Sequence, residues 1–274
     1  MLGPNQNSMA LWLRLYAGVF FGFLYLPIGV LLVLSFNDSP VIGFPLRGFT
    51  FDWYHQVFND SKFFIALFKS FSVGLVSSLI ATALALMAAL GLRKHFWGQQ
   101  WVVPVMLVPI IIPGIVSGAV LLVFFGIAGV PYGLWTGALV AHVTWVLPFA
   151  FLTLYPRLAA FDQALEEAAM DLGASPWVVF KRIVFPLIKP AVIATVLFSF
   201  TLSFDEFVRT LFVIGAERTT PVYLWVLIVE QTAPFLPAAG VIIMLISVAV
   251  AALGFWVSTT STQATESRSS SIRH

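Results

Sequence analysis

Six stretches of this chain are apolar for long enough to cross a lipid bilayer, and nothing else in the sequence limits its fold as much. They run Leu11–Ser35, Phe64–Leu92, Trp101–Ile127, Tyr132–Tyr155, Pro190–Ile214 and Ala238–Thr259. A helix rises about 1.5 Å per residue, so roughly 20 residues cover the ~30 Å hydrocarbon core. There every backbone N–H and C=O must find its partner inside the protein, which leaves helices or a closed barrel. Barrel strands alternate apolar and polar residues, whereas these runs are apolar throughout, so helices are expected. Composition agrees: 60% of the 274 residues are hydrophobic and 9% charged, against about a quarter charged in soluble domains. The expected fold class is all-α and integral to the membrane, with six transmembrane helices. The first run, Leu15–Phe36 at its most apolar, lacks the short apolar centre and small-residue cleavage site of a signal peptide, and is expected to stay as a span.

Lys and Arg concentrate on the cytoplasmic side of membrane proteins, and this sets the expected orientation. With the N-terminus inside, that side holds Arg14, Arg93, Lys94, Arg157, Lys181, Arg182, Lys189, Arg268 and Arg273. The far side holds Arg47, Lys62 and Arg218, while Lys69 and Arg209 fall within or beside spans. Nine against three puts both termini in the cytoplasm. Three parts follow: residues 1–63, a first span with an external loop; residues 64–260, the core; and residues 261–274, a Ser/Thr-rich tail with the composition of a disordered segment. The external loop is expected to hold a short amphipathic helix near Trp53–Phe58, and Gly215–Pro237 a re-entrant or interfacial one. Pro104, Pro109 and Pro113 are expected to kink the third span. The pairs Gly18/Gly22, Gly114/Gly118 and Gly133/Gly137 permit close helix approach.

Several chemistries are absent. The chain has no cysteine, no GxxxxGK[ST] phosphate loop and no Ser/His/Asp grouping, and its four histidines have no metal-binding spacing. No catalytic residue, metal site or cofactor of its own is expected. No Lys/Arg-rich run suggests nucleic acid.

The densest charge lies in Glu166–Pro190, EEAAMDLGASPWVVFKRIVFPLIKP, which with Asp162 forms a loop of about residues 162–188 in water between the fourth and fifth spans. A helix is expected over Asp162–Leu172, with acids in its first turn against the helix dipole and Gly173 as a left-handed stop. Ser175 then suits an N-cap and Pro176 the first helical position. A second short helix, Trp177–Val184, is expected to end before Pro186.

The fifth span carries the main polar intrusion: Ser199, Thr201, Ser203, Asp205, Glu206 and Arg209. Charges inside a membrane face a cavity or one another. Asp205 and Arg209, four apart, can pair on one helix face. Two readings stand: a structural ion pair, or a pathway lined by Asp205 and Glu206, whose surplus negative charge favours a cationic solute. Burial that protonates one carboxyl removes that surplus. His142, alone in the fourth span, reads as a satisfied bundle residue.

The loop has a specific spacing: Glu167-Ala168-Ala169, three residues, Gly173, nine residues, Ile183, one residue, then Phe185-Pro186. It resembles the EAA loop of permease subunits in binding-protein-dependent type I ABC importers, with Phe185 in place of a leucine. The resemblance extends over the Ser70–Arg93 region, PIIIPGIVSG and SFDEFVRTLFVIG. It implies the permease fold of such importers, in a bacterial inner membrane. It implies that Glu167, Ala168, Ala169, Asp171, Gly173, Ala174, Ser175 and Pro176 form a coupling helix and turn that dock on a separate ATPase, where ATP and Mg bind. It also implies a second permease, two ATPase copies and a periplasmic solute-binding protein. Within the family the GFTFDWY and FDEF stretches look most like the second permease of spermidine/putrescine importers. Asp205 and Glu206 suit a cationic amine. Trp53 and Tyr54 suit cation–π contact at an external mouth, or interfacial anchoring. Other substrates of this importer class (ferric iron, phosphonate, thiamine, opines, amino-acid derivatives) stay open, as does an ion-coupled secondary transporter using Asp205 and Glu206.

Overall fold

The computed structural model describes residues 4–231 and 233–271. Among them the chain is helical, with a single bridge between Asn37 and Phe49 as its extended pairing. Five helical segments are long and apolar enough to cross a membrane: Met9–Leu34, Ser61–Gly91, Leu134–Ala159, Pro176–Phe204 and Leu236–Gly254. Where a sixth span was expected stand two shorter helices, α4 (Gln99–Ile111) and α5 (Gly114–Ala128), bent by 101° at the break between them, the form of a broken span or of a re-entrant loop.

That bend corrects the expectation of a merely kinked span. Pro104 and Pro109 lie inside α4 without breaking it. At Pro113 the chain turns: Ile112 is extended, at φ −74° and ψ 125°, the conformation a following proline favours. Each half, 13 and 15 residues, is too short to cross alone. The fifth span is displaced too. The helix that carries it starts at Pro176, ahead of the expected Pro190, and ends at Phe204, before Asp205.

The chain forms two compact units. Residues 1–61 and 226–246 make the first. It contains α1 (Pro4–Leu34), the first loop, α2 (Asp52–Asn59) and the start of α12 (Leu236–Ser271). The loop is held by its own polar groups: the Asn37 side chain donates to the Gly43 carbonyl at 3.1 Å and accepts the Arg47 N–H at 2.9 Å. Phe36 stacks on Phe49 and meets Phe51 and Tyr54 edge-on or tilted. Leu31 lies 3.5 Å from where a Cβ on Gly240 would stand. Residues 226–246 return to this unit from far along the chain.

The second unit, residues 62–225 and 247–274, holds α3 (Ser61–Gly91), the α4–α5 pair, α6 (Leu139–Ala159), α7 (Ala164–Asp171), α8 (Pro176–Val179), α9 (Phe185–Phe204) and α10 (Val208–Val213). Lipid tails are as apolar as leucine, so packing and close backbone approach hold such helices together. Ala81, Ala85 and Ala89, four apart on α3, join Val146, Ala150, Phe151, Leu154 and Leu158 of α6 and Ile188 of α9 in one buried cluster. The small pairs read from the sequence divide by place. A Cβ on Gly118 would stand 2.7 Å from the Phe212 ring, while Gly18 and Gly22 face open space. A Cβ on Gly137 would overlap the Val213 carbonyl oxygen and lie 2.9 Å from Val213 Cβ. Backbone cannot swing aside, so Gly137→Ala is expected to destabilise the contact between α10 and the π turn Leu134–Ala138 that leads into α6 by about 1–3 kcal/mol, read as a lowered unfolding midpoint in detergent.

At the far end α12 stays helical through residues 261–271, where composition suggested disorder. No Gly or Pro follows Gly254 to stop it, and Ala264, Gln263, Glu266 and Arg268 are good helix formers. Residues 272–274 of the expected tail lie outside the described residues.

Candidate functional site: an exposed loop and a buried helix corner

The Glu166–Pro190 segment folds as helix, turn, helix. α7 begins where the Asp162 carboxylate accepts the Ala164 N–H at 3.0 Å, and carries Glu166 and Glu167 in its first turn, opposite the helix dipole. It ends in a Schellman turn: Gly173 sits at φ +86°, its N–H donates to the Met170 carbonyl at 2.9 Å, and the Ala174 N–H to the Ala169 carbonyl at 3.1 Å. Ala169 and Ala174, the two ends of that last bond, both pack against the buried α3–α6–α9 cluster. Small side chains there let the turn sit down on the core. Ser175 is extended ahead of α8, with Pro176 in the first turn, but its hydroxyl makes no capping bond.

The second helix does not stop before Pro186. It widens into a π turn, Phe180–Val184, in which the Phe185 N–H donates to the Phe180 carbonyl, and runs on into α9. Pro186 follows directly on that π turn, whose wider winding accommodates a residue with no N–H to donate.

Glu167, Ala168, Asp171, Gly173, Ser175 and Pro176 face outward. Beside them stand Met170, Leu172 at 90% exposure and Trp177 at 68%. The result is an apolar tip rimmed by acids, on a turn too rigid to collapse. Sequence reading missed the residue that ties this loop down. Arg93, just past α3, pairs with Glu166 and lies 5.4 Å over the Phe161 ring. The two partners are 73 residues apart, so no local pattern could link them; the signal was only a basic residue at the end of a span.

The fifth span ends in a corner, and its charges are paired differently from the expected Asp205–Arg209. Glu206 Oε2 lies 3.1 Å from Arg209 Nη1, and Glu206 Oε1 accepts the Arg209 N–H at 2.9 Å. That second bond satisfies one of the orphan N–H groups at the start of α10, which favours ending α9 and beginning anew. Both residues are 7% exposed, and the guanidinium also lies 3.9 Å from the Trp145 ring centroid. Asp205 caps α9 and is exposed, and among the described residues its carboxylate has only a long 3.4 Å bond from the Ser247 hydroxyl. So Glu206 is committed, and Asp205 is the carboxylate left over.

Trp53 and Tyr54 belong to the first unit, and their polar ends are already used. Trp53 Nε1 donates to the Asn37 carbonyl at 2.8 Å, and the Tyr54 hydroxyl bonds Ser35 Oγ at 2.7 Å. A further ion pair joins Lys69 to Glu217 at 3.1 Å, within the second unit. The Leu134 N–H donates to the same carboxylate at 2.8 Å. That bond, with Lys69, outweighs partial burial and holds the Glu217 carboxyl below its ordinary range.

Residues 81–260 match the family described as "Binding-protein-dependent transport system inner membrane component". The spermidine/putrescine transport system permease protein PotC of Haemophilus influenzae is 34% identical over 237 residues, 86% of this chain and 91% of that protein. PotC of Escherichia coli K12 is 35% identical over 229 residues, 83% of this chain and 86% of that protein. The E. coli K12 putrescine transport system permease protein PotI is 34% identical over 208 residues, 73% of each chain. In fold, the chain is similar to a chain of a bacterial ABC transporter involved in the import of the acidic polysaccharide alginate, with TM-score 0.70 and 16% identity over 93% of this chain and 96% of that one. It is also similar to a chain of the MetNI methionine ABC transporter, with TM-score 0.56 and 15% identity over 71% of this chain and 94% of that one. Spans, fold and family match agree: the chain belongs to the inner-membrane permease components of binding-protein-dependent transport systems.

Proposed function

We propose that this chain forms half of the translocation pathway of an ATP-driven importer for polyamines such as putrescine and spermidine. A periplasmic binding protein delivers the solute, a second permease completes the pathway, and two copies of an ATPase, holding ATP and Mg, drive it. Both termini and the Glu166–Pro190 loop lie in the cytoplasm of a bacterial cell, as the charge distribution favours. One observation carries the reading. A rigid turn, fixed by Gly173, Ala169 and Ala174, presents Glu167, Ala168, Asp171, Ser175 and Pro176 outward beside the bare side chains of Leu172 and Trp177. Such a tip suits an apolar groove on a partner, and it joins the two helices that a motor would have to move.

The chain has no cysteine of its own, so Ala168→Cys or Ser175→Cys introduces a sole thiol for crosslinking. A crosslink to a single-cysteine ATPase subunit, with a yield that changes on adding ATP, is the expected result. No product from either position would overturn the docking role.

The names of the relatives support a polyamine as solute, and so does the exposed Asp205 carboxylate at the corner. A protonated amine meeting that carboxylate gains a charge-assisted hydrogen bond. Asp205→Asn is expected to raise the KM for putrescine uptake about tenfold, the loss of one such contact, with little change in maximal rate. Unchanged kinetics would make Asp205 a bystander. Trp53 and Tyr54 brace the first loop, within the first unit, through Asn37 and Ser35.

A further inference from the structure

His142 is almost fully buried in α6 and is bonded at both ring nitrogens. Nδ1 meets Ser203 Oγ, in the last turn of α9, and Nε2 meets Thr210 Oγ1, in α10, at 2.8 Å. Ser203 Oγ also bonds Ser77 Oγ of α3 at 2.8 Å, and Thr210 Oγ1 donates to the Glu206 carbonyl at 2.9 Å. The protons can be followed. Thr210 spends its hydroxyl proton on Glu206, so His142 Nε2–H donates to Thr210. Nδ1 then accepts from Ser203, and Ser203 accepts from Ser77 when the Ser77 hydroxyl turns to it, at 2.8 Å, rather than to the Gly74 carbonyl at 3.1 Å. One neutral tautomer satisfies every group in a chain that runs from α3, through α6, to the α9–α10 corner. Among the described residues, the side-chain hydrogen bonds from α6 to α9 and α10 both come from this one imidazole.

The position of the bonds matters more than their number. α6 and α9 are the helices that flank the Glu166–Pro190 loop. At the loop end they are joined by the loop itself and by Leu154, Leu158, Val184 and Ile188. His142 lies sixteen residues before Leu158, roughly 24 Å along α6. There the corner has its own ion pair, Glu206–Arg209, and beside it stands Asp205. A displacement applied at the loop reaches that corner undiminished only if the far ends of the two helices cannot slide past one another.

We propose that His142 pins the far ends of α6 and α9, so that the helices leaving the loop move as one lever and carry loop displacement to the corner that presents Asp205. The inference rests on the coupling role proposed above. His142 is a positioning residue in this account and does not touch the solute.

The test uses the complete transporter in proteoliposomes with its binding protein and labelled putrescine, measuring solute moved per ATP hydrolysed. His142→Ala is expected to lower that ratio about tenfold, with ATP hydrolysis retained and the KM for putrescine within about twofold. Thr210→Val keeps the volume and removes one side of the bridge, and is expected to give a smaller loss in the same ratio. It also serves if His142→Ala does not assemble. A role confined to packing would instead lower the yield and melting temperature of both variants while assembled transporters kept the wild-type ratio, and that result would overturn the pin. Gly173→Pro is run alongside. An unchanged ratio there refutes the coupling role and the pin with it, whereas loss at Gly173 with none at His142 and Thr210 refutes the pin alone.

Discussion

Gly173→Pro is expected to abolish putrescine uptake while the subunit still inserts, assembles and supports ATP hydrolysis. Gly173 sits at φ +86°, and proline is locked near −65°. Its N–H, which donates to the Met170 carbonyl, would be lost. Leu172, at φ −80° and ψ 7°, would be forced toward the extended conformation that a following proline favours. The Schellman turn has to open, and α7 loses its fixed angle to α8. Damage beyond the turn is limited, because Gly173 faces outward and a Cβ there would meet nothing. A penalty of about 3 kcal/mol or more corresponds to at least a hundredfold loss of the coupled state. Gly173→Ala, which pays only the left-handed strain of about 1–2 kcal/mol, should fall between. The measurement is uptake per ATP for the three chains side by side, and equal ratios would contradict a role for the turn.

Arg209→Ala should be the most destabilising single change at the corner. It strands the Glu206 carboxylate, 7% exposed, without its partner, and removes the cation from the Trp145 face. Breaking a buried pair from one side costs about 3–5 kcal/mol, much of it the price of the unpaired charge. The room for the guanidinium is built in, since a Cβ on Gly114 would lie 3.4 Å from Arg209 Nη1 and one on Gly118 3.2 Å from its Cα. The double variant Glu206→Gln/Arg209→Met removes both charges and is expected to be less destabilised than Arg209→Ala alone. Thermal unfolding in detergent measures both. A double variant that is the worse of the two would show that the pair contributes net stability rather than mutual neutralisation.

The loop was legible because its turn constrains the residues themselves. A left-handed stop wants glycine, and a turn seated on a core wants alanines, so Gly173, Ala169 and Ala174 leave a spacing that can be read. Repeated membrane crossing was legible from length and apolarity alone, though the break in the third run and the ends of the fifth were not. The corner was not. Asp205 and Arg209 have the spacing of a helical pair, and only the fold reveals that Glu206 ends the helix by capping the next one. Three prolines stand in the third span, and composition could not rank Pro113 above Pro104 and Pro109. Arg93–Glu166 and His142–Ser203–Ser77 join distant parts of the chain, which periodicity cannot bring together. The bonds that fix Trp53 and Tyr54 were not legible either, because the partners of their polar ends, Asn37 and Ser35, are 16 and 19 residues away.

The central claim is that this chain moves a polyamine by coupling to a separate ATPase. It is tested most directly in proteoliposomes containing both permeases and the ATPase, with binding protein and labelled putrescine on one side and ATP on the other. Uptake is expected only when binding protein and ATP are both present, and to be indifferent to proton and sodium gradients. Uptake driven by an ion gradient through this chain, without the ATPase and without ATP, would contradict it.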